Sequence, residues 1–382
     1  MAVAQLRFGP VALLVVLSAL AVTPLYNYPV AGAIEPAAKQ ISTNTPQCSG
    51  SQKLAVFGDG DCSPKPITVP VTASSSTNPP PRPLYVVAPT RPGNYPVFLF
   101  AHGTFISNNL YSGLLSHISS HGYIVVAPQL FDSILSLPCE LEEIEYLEQV
   151  TNWMPSATAL PSHLPPGVLP DFDKLAVGGH SRGGKSAFAL ALGLCTKPLK
   201  LTISAVVGVD PVAGVSKNSR TDPVILTYEP ESLNLSVPVA VIGSGLGNQS
   251  EVIDLPACAP NWVNHAEFYS ECMAPKSHLV ADDYGHMDVV DDVSWFERDF
   301  KGMFDFALTK LMCKGASGLF SSREKMRKGV GGIVVAFLDA YLGGGGSDDY
   351  LAILESPLEV DSPVKLTVGY KLEKGTAAAG DI

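Results

Sequence analysis

The sequence predicts an α/β protein built on a mostly parallel central sheet with helices on both faces. Two continuously apolar runs, residues 96–101 and 123–128, have the length and composition of strands that are buried on both faces. Between them, leucine and isoleucine recur at helical spacing over residues 107–122. A strand, a helix and a second strand in this order form a right-handed parallel crossover. A third apolar run, residues 175–178, leads into a glycine-rich turn and then a helical segment.

The other elements are predicted from the same two periodicities. Alternating or apolar runs indicate strands at residues 67–71, 84–88, 203–209, 237–243 and 364–368. Helical spacing indicates an acidic helix around residues 140–148 and packing helices at 295–311 and 330–342. Residues 132–173, which hold this acidic helix and then recurring prolines between 155 and 170, are where we expect a flap over the site. Residues 251–285 are expected to be mostly irregular.

Composition favours one catalytic domain with an extension at each end. Hydrophobic residues make up 46% of the 382 residues and charged residues 16%, which suits a large core and argues against global disorder. We expect a targeting peptide at 1–33, an N-terminal extension at 34–64, the catalytic domain at 65–342 and a glycine-rich C-terminal tail at 343–382. The net charge of −11 argues against nucleic acid or an anionic membrane surface as the main partner.

The first residues have the pattern of a cleavable targeting peptide. An apolar stretch at 8–25 follows Arg7, no acidic residue precedes Glu35, and the small residues 31–33 come after the stretch. Secretion and organelle import both fit this pattern. The alternative is a retained membrane anchor, although the stretch is short for a span.

The seven cysteines show no CxxC pair and no cysteine–histidine spacing typical of zinc. We therefore expect no metal site. Cys258 and Cys272 are close enough in sequence to close a small loop, as are Cys48 and Cys62. The alternative for each is a buried free thiol.

The glycine-rich turn at 179–183, Gly-His-Ser-Arg-Gly, fits the pattern G-x-S-x-G. A serine on a tight turn between strand and helix has a strained backbone, and only very small neighbours fit beside it. The turn lifts the hydroxyl of Ser181 towards a helix N-terminus, where N–H groups can stabilise an oxyanion. This nucleophile elbow is typical of the α/β-hydrolase fold. The alternative is a glycine-rich turn with an incidental serine.

A serine nucleophile needs a histidine to accept its proton and a carboxylate to orient that histidine. In this fold the chain order is serine, acid, histidine. Asp210 ends the strand after the elbow helix, and His286 follows Gly285 in a late loop. Asp210 before Pro211 is also typical of a simple turn. The competing residues are His265 and His278 for the base, and Asp254 and Asp288 for the acid.

An oxyanion hole needs two converging N–H donors. The sequence predicts the backbone N–H groups of Arg182, just after the nucleophile, and Thr104, in the loop after an early strand. Gly103 would let that loop approach closely, and His102 would shape it. The side chain of Arg182 has two options, which are a substrate carbonyl and an acidic partner.

Several segments together resemble the chlorophyllase family of plants and algae. They are GHSRGGKSAFALALG (179–193), FLFAHGTFISNNLYSGLLSHISSHGYIVVAPQL (98–130), VGVDPVAGV (207–215), CAPNWVNHAEFYSECMAPKSHLVADDYGHMDVVDD (258–292) and REKMRKGVGGIVVAFLDAYL (323–342). The resemblance covers roughly residues 65–342 and implies the triad Ser181, Asp210 and His286. Ala213 departs from it, since the family more often has an acidic residue there.

The resemblance implies hydrolysis of the ester that joins the chlorophyll propionate to phytol, without metal or organic cofactor. The substrate would be a chlorophyll-type tetrapyrrole, and we expect an apolar trough lined by Phe105, Ile106, Leu130 and Phe131. The chloroplast is the expected location, with the secretory pathway or vacuole as alternatives and peripheral contact with the thylakoid or another pigment-bearing membrane. The alternative functions are a cutinase-like esterase for lipids or polyesters, and a catalytically silent pigment-binding protein.

Overall fold

The computed structural model describes residues 55–71, 78–131, 139–250, 256–292, 313–316, 323–343 and 347–369. Four features named in the sequence analysis lie outside these residues. They are the targeting peptide expected at 1–33, Cys48, Asp254 and the helix expected at 295–311. Where the chain is described, it forms a nine-stranded sheet and a separate two-stranded hairpin.

The strands lie close to the positions that apolar patterning predicts. In chain order they are β1 (Pro64–Val69), β2 (Leu84–Pro89), β3 (Gly93–Ala101), β4 (Ile124–Pro128), β5 (Val168–His180), β6 (Ile203–Val209), β7 (Gly214–Ser216), β8 (Ser219–Arg220), β9 (Val239–Ser244), β10 (Lys276–Ala281) and β11 (Leu366–Val368). Strands β7 and β8 form the separate hairpin.

Across the large sheet the order is β1-β2-β4-β3-β5-β6-β9-β10-β11. The six consecutive strands β4-β3-β5-β6-β9-β10 run parallel to one another. Strands β1, β2 and β11 are antiparallel to theirs and lie at the two edges. The prediction of a mostly parallel central sheet is therefore confirmed.

Within the described residues, six α-helices connect or cover these strands. They are α1 (Ser112–Ser120), α2 (Glu140–Trp153), α3 (Arg182–Ala191), α4 (His265–Glu271), α5 (Glu324–Leu342) and α6 (Ser347–Glu355). Short 3-10 helices lie at Asn108–Tyr111, Leu160–His163, His286–Val289 and Pro357–Val360. None of the helices in the described ranges has the length and apolarity that crossing a bilayer requires.

Alternate residues of the central strands pack into two separate cores, one on each face of the sheet. On β3, Phe98 and Phe100 belong to the core formed with α1 and α5. Val97 and Leu99 on the same strand belong to the core formed with α2 and α3. A strand covered on both faces needs apolar side chains at every position, which explains the continuous runs in the sequence.

Two segments differ from the sequence predictions. Residues 251–285, expected to be irregular, contain α4 and β10, which joins the central sheet beside β9. The start of α4 is capped by Asn264, whose side chain accepts a hydrogen bond from the backbone of Ala266. The expected C-terminal tail contributes α6 and β11, so the sheet extends beyond residue 342.

The disulfide hypothesis for Cys258 and Cys272 is wrong. Cys258 is bonded to Cys313, 55 residues further along the chain. Cys272 is a buried free thiol in the core beneath α4. Cys62 is also disulfide-bonded. Proximity in sequence is a poor guide here because α4 separates Cys258, which precedes the helix, from Cys272, which follows its last residue.

Candidate active site

Ser181 occupies a strained turn between β5 and α3. Its backbone has φ 58° and ψ −127°, a combination that non-glycine residues rarely adopt. The turn is held by hydrogen bonds from the Ser181 N–H to Val209 O at 3.1 Å and from the Val212 N–H to Ser181 O at 3.1 Å. The nucleophile is therefore fixed against β6 and the loop that follows β6.

The glycines on either side of Ser181 are required by close backbone approach. A Cβ at Gly179 would lie 2.6 Å from the Ala101 carbonyl oxygen, and one at Gly183 would lie 2.4 Å from the same atom. Real Cβ atoms do not approach oxygen so closely, so any larger residue would push the elbow away from β3. This geometry matches the steric argument made from the sequence motif.

Ser181, His286 and Asp210 form one continuous hydrogen-bonded line. His286 Nε2 lies 2.8 Å from Ser181 Oγ, and His286 Nδ1 lies 2.8 Å from Asp210 Oδ2. A carboxylate only accepts, so Nδ1 carries the proton and Nε2 is free to accept the serine proton. All three residues are buried. The arrangement can activate a serine for attack on a carbonyl carbon.

The surroundings of Asp210 keep its carboxyl group ionised. Burial alone would raise its pKa, but the hydrogen bond and charge of His286, with help from His265 and a hydrogen bond from Ser244, hold the pKa at about 2. Both the hydroxyl and the backbone N–H of Ser244 donate to this carboxylate. The Asp210 carboxylate therefore stays negatively charged beside His286 Nδ1 throughout the neutral pH range.

A second chain of hydrogen bonds joins the loop after β3 to the turn that carries His286. The Gly103 N–H donates to the Tyr111 hydroxyl at 3.0 Å, and that hydroxyl donates to His180 Nδ1 at 2.8 Å. His180 Nε2 then donates to the backbone carbonyl of His286 at 2.9 Å. Burial, together with the nearby His286, lowers the pKa of His180 to about 3, so its ring stays neutral and keeps this tautomer.

The two predicted oxyanion donors lie on segments that flank the nucleophile. Arg182 is the first residue of α3, directly after Ser181. Thr104 follows Gly103, where a Cβ would lie only 3.1 Å from the Ser181 Cβ. His102 braces this loop, since its Nδ1–H donates to Gly103 O at 3.0 Å and its Nε2 accepts from the Leu130 N–H at 2.9 Å.

Comparison with known families identifies the relatives of this chain. A family model described as Chlorophyllase matches residues 52–372, which include the whole central sheet and Ser181, Asp210 and His286. The chain belongs to the chlorophyllase family. The family-level resemblance drawn from sequence motifs is confirmed.

Curated chlorophyllases from several plants are similar to this member of the family along most of their length. Chlorophyllase-1 of Arabidopsis thaliana is 43% identical over 334 residues, covering 87% of this chain and 97% of its own. Chlorophyllase type 0 of Chenopodium album is 46% identical, covering 73% of this chain and 76% of its own. A protein named Chlorophyllase-1, chloroplastic, of Citrus unshiu is 43% identical, with 82% and 87% covered.

In this chlorophyllase-family chain the Arg182 side chain takes the second of its two options, an acidic partner. Its Nε lies 2.8 Å from Glu143 Oε1 and 3.6 Å from Glu140 Oε1, both on α2. Beside them the buried Lys185 ammonium forms an ion pair with Glu140 and donates to Thr221 Oγ1 at 2.8 Å. The acidic helix predicted at 140–148 thus carries the counter-charges of the helix that begins at the nucleophile.

The competing candidates for the triad have other partners. His265 Nδ1 lies 2.9 Å from His278 Nε2, so these two rings pair with each other. Asp288 accepts hydrogen bonds from the N–H groups of Gly285 at 2.8 Å and Ala316 at 2.7 Å. Its role is to hold the turn that carries His286.

The four predicted substrate-lining residues divide into core and surface. Leu130 is fully buried, and Ile106 and Phe131 are nearly so. Phe131 packs its ring edge-on against His102, with centroids 4.7 Å apart. Of the four, Phe105 alone is partly exposed, and it has a positive φ of 61°. The other three residues pack against the loop after β3, which carries Thr104.

The sequence did not point to two residues that position the groups around the site through hydrogen bonds. Ser244 and Tyr111 complete the hydrogen-bond chains around Asp210 and His180, but an isolated serine or tyrosine carries no distinctive motif. One signal was available: Ser244 ends β9 at the same sheet edge as Asp210, where functional side chains of parallel strands gather.

Proposed function

We propose that this chain hydrolyses the phytyl ester of chlorophyll to chlorophyllide and phytol through a covalent acyl-enzyme on Ser181. The observation that carries the proposal is the unbroken hydrogen-bonded line from Ser181 through His286 to Asp210, with 2.8 Å at each step. The substrate class is supported by the names of the relatives, which are all chlorophyllases.

In the first half of the reaction, Ser181 Oγ attacks the ester carbonyl carbon while its proton moves to His286 Nε2. The carbonyl oxygen becomes an oxyanion, which the N–H groups of Arg182 and Thr104 stabilise. When the tetrahedral intermediate collapses, the bond to the phytyl oxygen breaks. His286 returns the proton to that oxygen, so phytol leaves as a neutral alcohol and the chlorophyllide acyl group stays on Ser181.

In the second half, His286 removes a proton from water, and the resulting hydroxide attacks the acyl carbon. A second oxyanion forms in the same N–H pair. Its collapse breaks the bond to Ser181 Oγ, which takes the proton back from His286, and chlorophyllide is released as a carboxylic acid that loses its proton to solvent. Asp210 keeps Nδ1 protonated and stabilises the imidazolium in both halves.

Purified protein incubated with detergent-solubilised chlorophyll and, separately, with p-nitrophenyl butyrate tests this proposal. We expect chlorophyllide and phytol in equal amounts, and no product from the Ser181→Ala variant. Turnover of the short ester without any chlorophyllide would indicate a cutinase-like esterase instead. Binding of chlorophyll without turnover of either ester would indicate a silent pigment-binding protein.

We also propose that the protein acts in the chloroplast, with residues 1–33 as its targeting peptide. Support comes from two Citrus relatives whose names include the word chloroplastic. Import of the full chain into isolated chloroplasts, followed by N-terminal sequencing of the mature form, tests both parts. Peripheral contact with a pigment-bearing membrane belongs to the same proposal, because a phytyl ester partitions into lipid.

A further inference from the structure

A ridge of alternating aromatic and cationic side chains lies on the loops that follow β6 and β9. Lys217 Nζ lies 4.3 Å from the ring centroid of Tyr228 and 5.0 Å from that of Trp262. The Arg220 guanidinium carbon lies 5.2 Å from the centroid of the same Tyr228 ring. These four residues, Trp262, Lys217, Tyr228 and Arg220, form one contiguous surface, which we call the aromatic ridge.

Backbone hydrogen bonds connect the segments that carry the aromatic ridge to Ser181. The Val212 N–H donates to the carbonyl of Ser181 at 3.1 Å, and the next residue, Ala213, donates to the carbonyl of Val263 at 2.8 Å. Trp262 precedes Val263 in the chain, so two backbone hydrogen bonds, through Val212 and Ala213, link its segment to Ser181. The β7–β8 hairpin that carries Lys217 starts at Gly214, directly after the same contact.

Trp262 is held outward in a conformation that folding alone does not favour. Its indole is 56% exposed, and its backbone φ is 73°, which is an outlier for a bulky residue. Val215 on the hairpin is also 56% exposed. An exposed indole and a strained backbone both cost stability, and such features are retained mainly where they serve binding.

We propose that the aromatic ridge docks on the surface of a lipid bilayer, with Trp262 and Val215 entering the interfacial region and Lys217 and Arg220 facing the headgroups. Tryptophan and tyrosine prefer this region because their rings are apolar with one polar atom, and cations there are attracted by anionic lipid. This inference rests on the proposed function. Docking beside Ser181 would bring the ester-cleaving site to a substrate that is dissolved in the membrane.

Apolar insertion contributes more to this docking than charge. Glu267 interacts electrostatically with Lys217 and offsets part of its positive charge. The chain as a whole carries a net charge of −11, which repels an anionic surface at long range. The cations therefore orient the ridge close to the surface, whereas the indole supplies most of the affinity.

Co-sedimentation with chlorophyll-free vesicles tests the docking without any catalytic step. The inactive Ser181→Ala protein is mixed with phosphatidylcholine vesicles, with and without phosphatidylglycerol, and then compared with versions that also carry Trp262→Ala, Trp262→Phe or Lys217→Gln. Leu169→Ala is the matched control, because Leu169 is 49% exposed but lies at the opposite end of β5 from Ser181. Thermal unfolding of each variant shows that it is folded.

We expect Trp262→Ala to weaken binding to both vesicle types about tenfold, and Trp262→Phe to retain most of it. Lys217→Gln should weaken binding to the anionic vesicles alone, by at most about fivefold, and Leu169→Ala should change nothing. Equal binding by the Trp262→Ala and parent proteins, or an equal loss in the Leu169→Ala control, would overturn the proposal.

A second measurement separates bilayer docking from direct contact with pigment. With Ser181 intact, Trp262→Ala should lower the rate on chlorophyll in vesicles about tenfold, while the rate on detergent-solubilised chlorophyll and on p-nitrophenyl butyrate stays at the parent level. An equal loss on detergent-solubilised chlorophyll would make Trp262 a pigment-stacking residue and reject the docking surface. If no chlorophyll is cleaved in either form, the proposed function fails, and the vesicle binding still decides the docking.

Discussion

Nε2 of His180 donates a hydrogen bond to the backbone carbonyl of His286 at 2.9 Å, and the two imidazole rings lie 4.5 Å apart. His180, the residue before the proposed nucleophile, thus holds the turn that carries the proposed base. The turn at 179–183 and the turn that carries His286 are therefore joined twice, once through the side chains of Ser181 and His286 and once through this bond from His180. The Tyr111 hydroxyl orients the His180 ring for it.

Removing that hydroxyl should cost both stability and activity. Tyr111→Phe leaves the Gly103 N–H and His180 Nδ1 without a partner in a fully buried place, and we expect a loss of about 1–3 kcal/mol in the free energy of unfolding. Urea denaturation measures it, with kcat for p-nitrophenyl butyrate as the second readout. Tyr95→Phe is the control, since its hydroxyl bonds Arg91 O at the other end of β3. An equal effect of both variants would remove any special role of Tyr111.

Asp210→Asn should lower kcat about a thousandfold or more while leaving the fold intact. The amide cannot hold the Nδ1–H tautomer of His286 or stabilise the imidazolium. Ser244→Ala removes one donor to the carboxylate and should lower kcat only about tenfold. Steady-state kinetics with circular dichroism as the folding control check both. A wild-type kcat in the Asp210→Asn variant would exclude Asp210 as the acid of the triad.

The buried His265–His278 pair predicts that the protein loses stability on acidification at pH values well above those at which carboxylates titrate. Burial, together with His265, lowers the pKa of His278 from 6.5 to about 3. Below pH about 6.5 the unfolded chain binds a proton at this residue and the native state does not, so stability falls as the pH drops from about 6.5 towards 3.

From pH 6.5 to pH 5 this single group should cost about 2 kcal/mol. The comparison is urea denaturation of wild type and His278→Gln at pH 7 and pH 5. The variant should show a correspondingly smaller loss between the two values. Identical pH dependence in the two proteins would assign the acid sensitivity to other groups, such as His180.

Lys185→Met should destabilise the protein by about 3–5 kcal/mol, because Glu140 is left buried beside Glu143 with one cation fewer. Adding Glu140→Gln should recover a large part of this loss, since the uncompensated charge is then removed. A double-mutant cycle by thermal unfolding measures the coupling. If the two losses simply add, the pair is not the source of the destabilisation.

The Cys258–Cys313 disulfide should stabilise both the fold and the His286 turn. Closing a 55-residue loop is worth about 2–4 kcal/mol, and the segment beyond Cys313 donates to Asp288, which holds that turn. We expect Cys258→Ser to lower the melting temperature and kcat together. Cys195→Ser, which changes a half-buried free thiol, is the control. Unchanged kcat at a lower melting temperature would limit the disulfide to global stability.

Much of the site was predictable because its signals are local along the chain. The runs at 96–101 and 175–178 predict buried strands, and the glycines at 179 and 183 predict an elbow, since both depend on steric demands within a few residues. Chain order and position at strand ends then favoured Asp210 and His286 among several candidates, and the family resemblance implied the same two residues. The histidines at 265 and 278 could not be eliminated, because only folding shows that they pair with each other.

The sequence by itself determined most strands of the sheet and the elbow, since backbone periodicity and glycine sterics act between near neighbours, and its family resemblance implied the candidate triad. Tertiary structure alone decided that Cys258 pairs with Cys313, that Arg182 turns to Glu143, and that Ser244 supports Asp210. It also decided that the indole of Trp262 faces outward beside the site. Each of these depends on which distant segments the fold brings within a few ångströms, and no spacing along the chain records that distance.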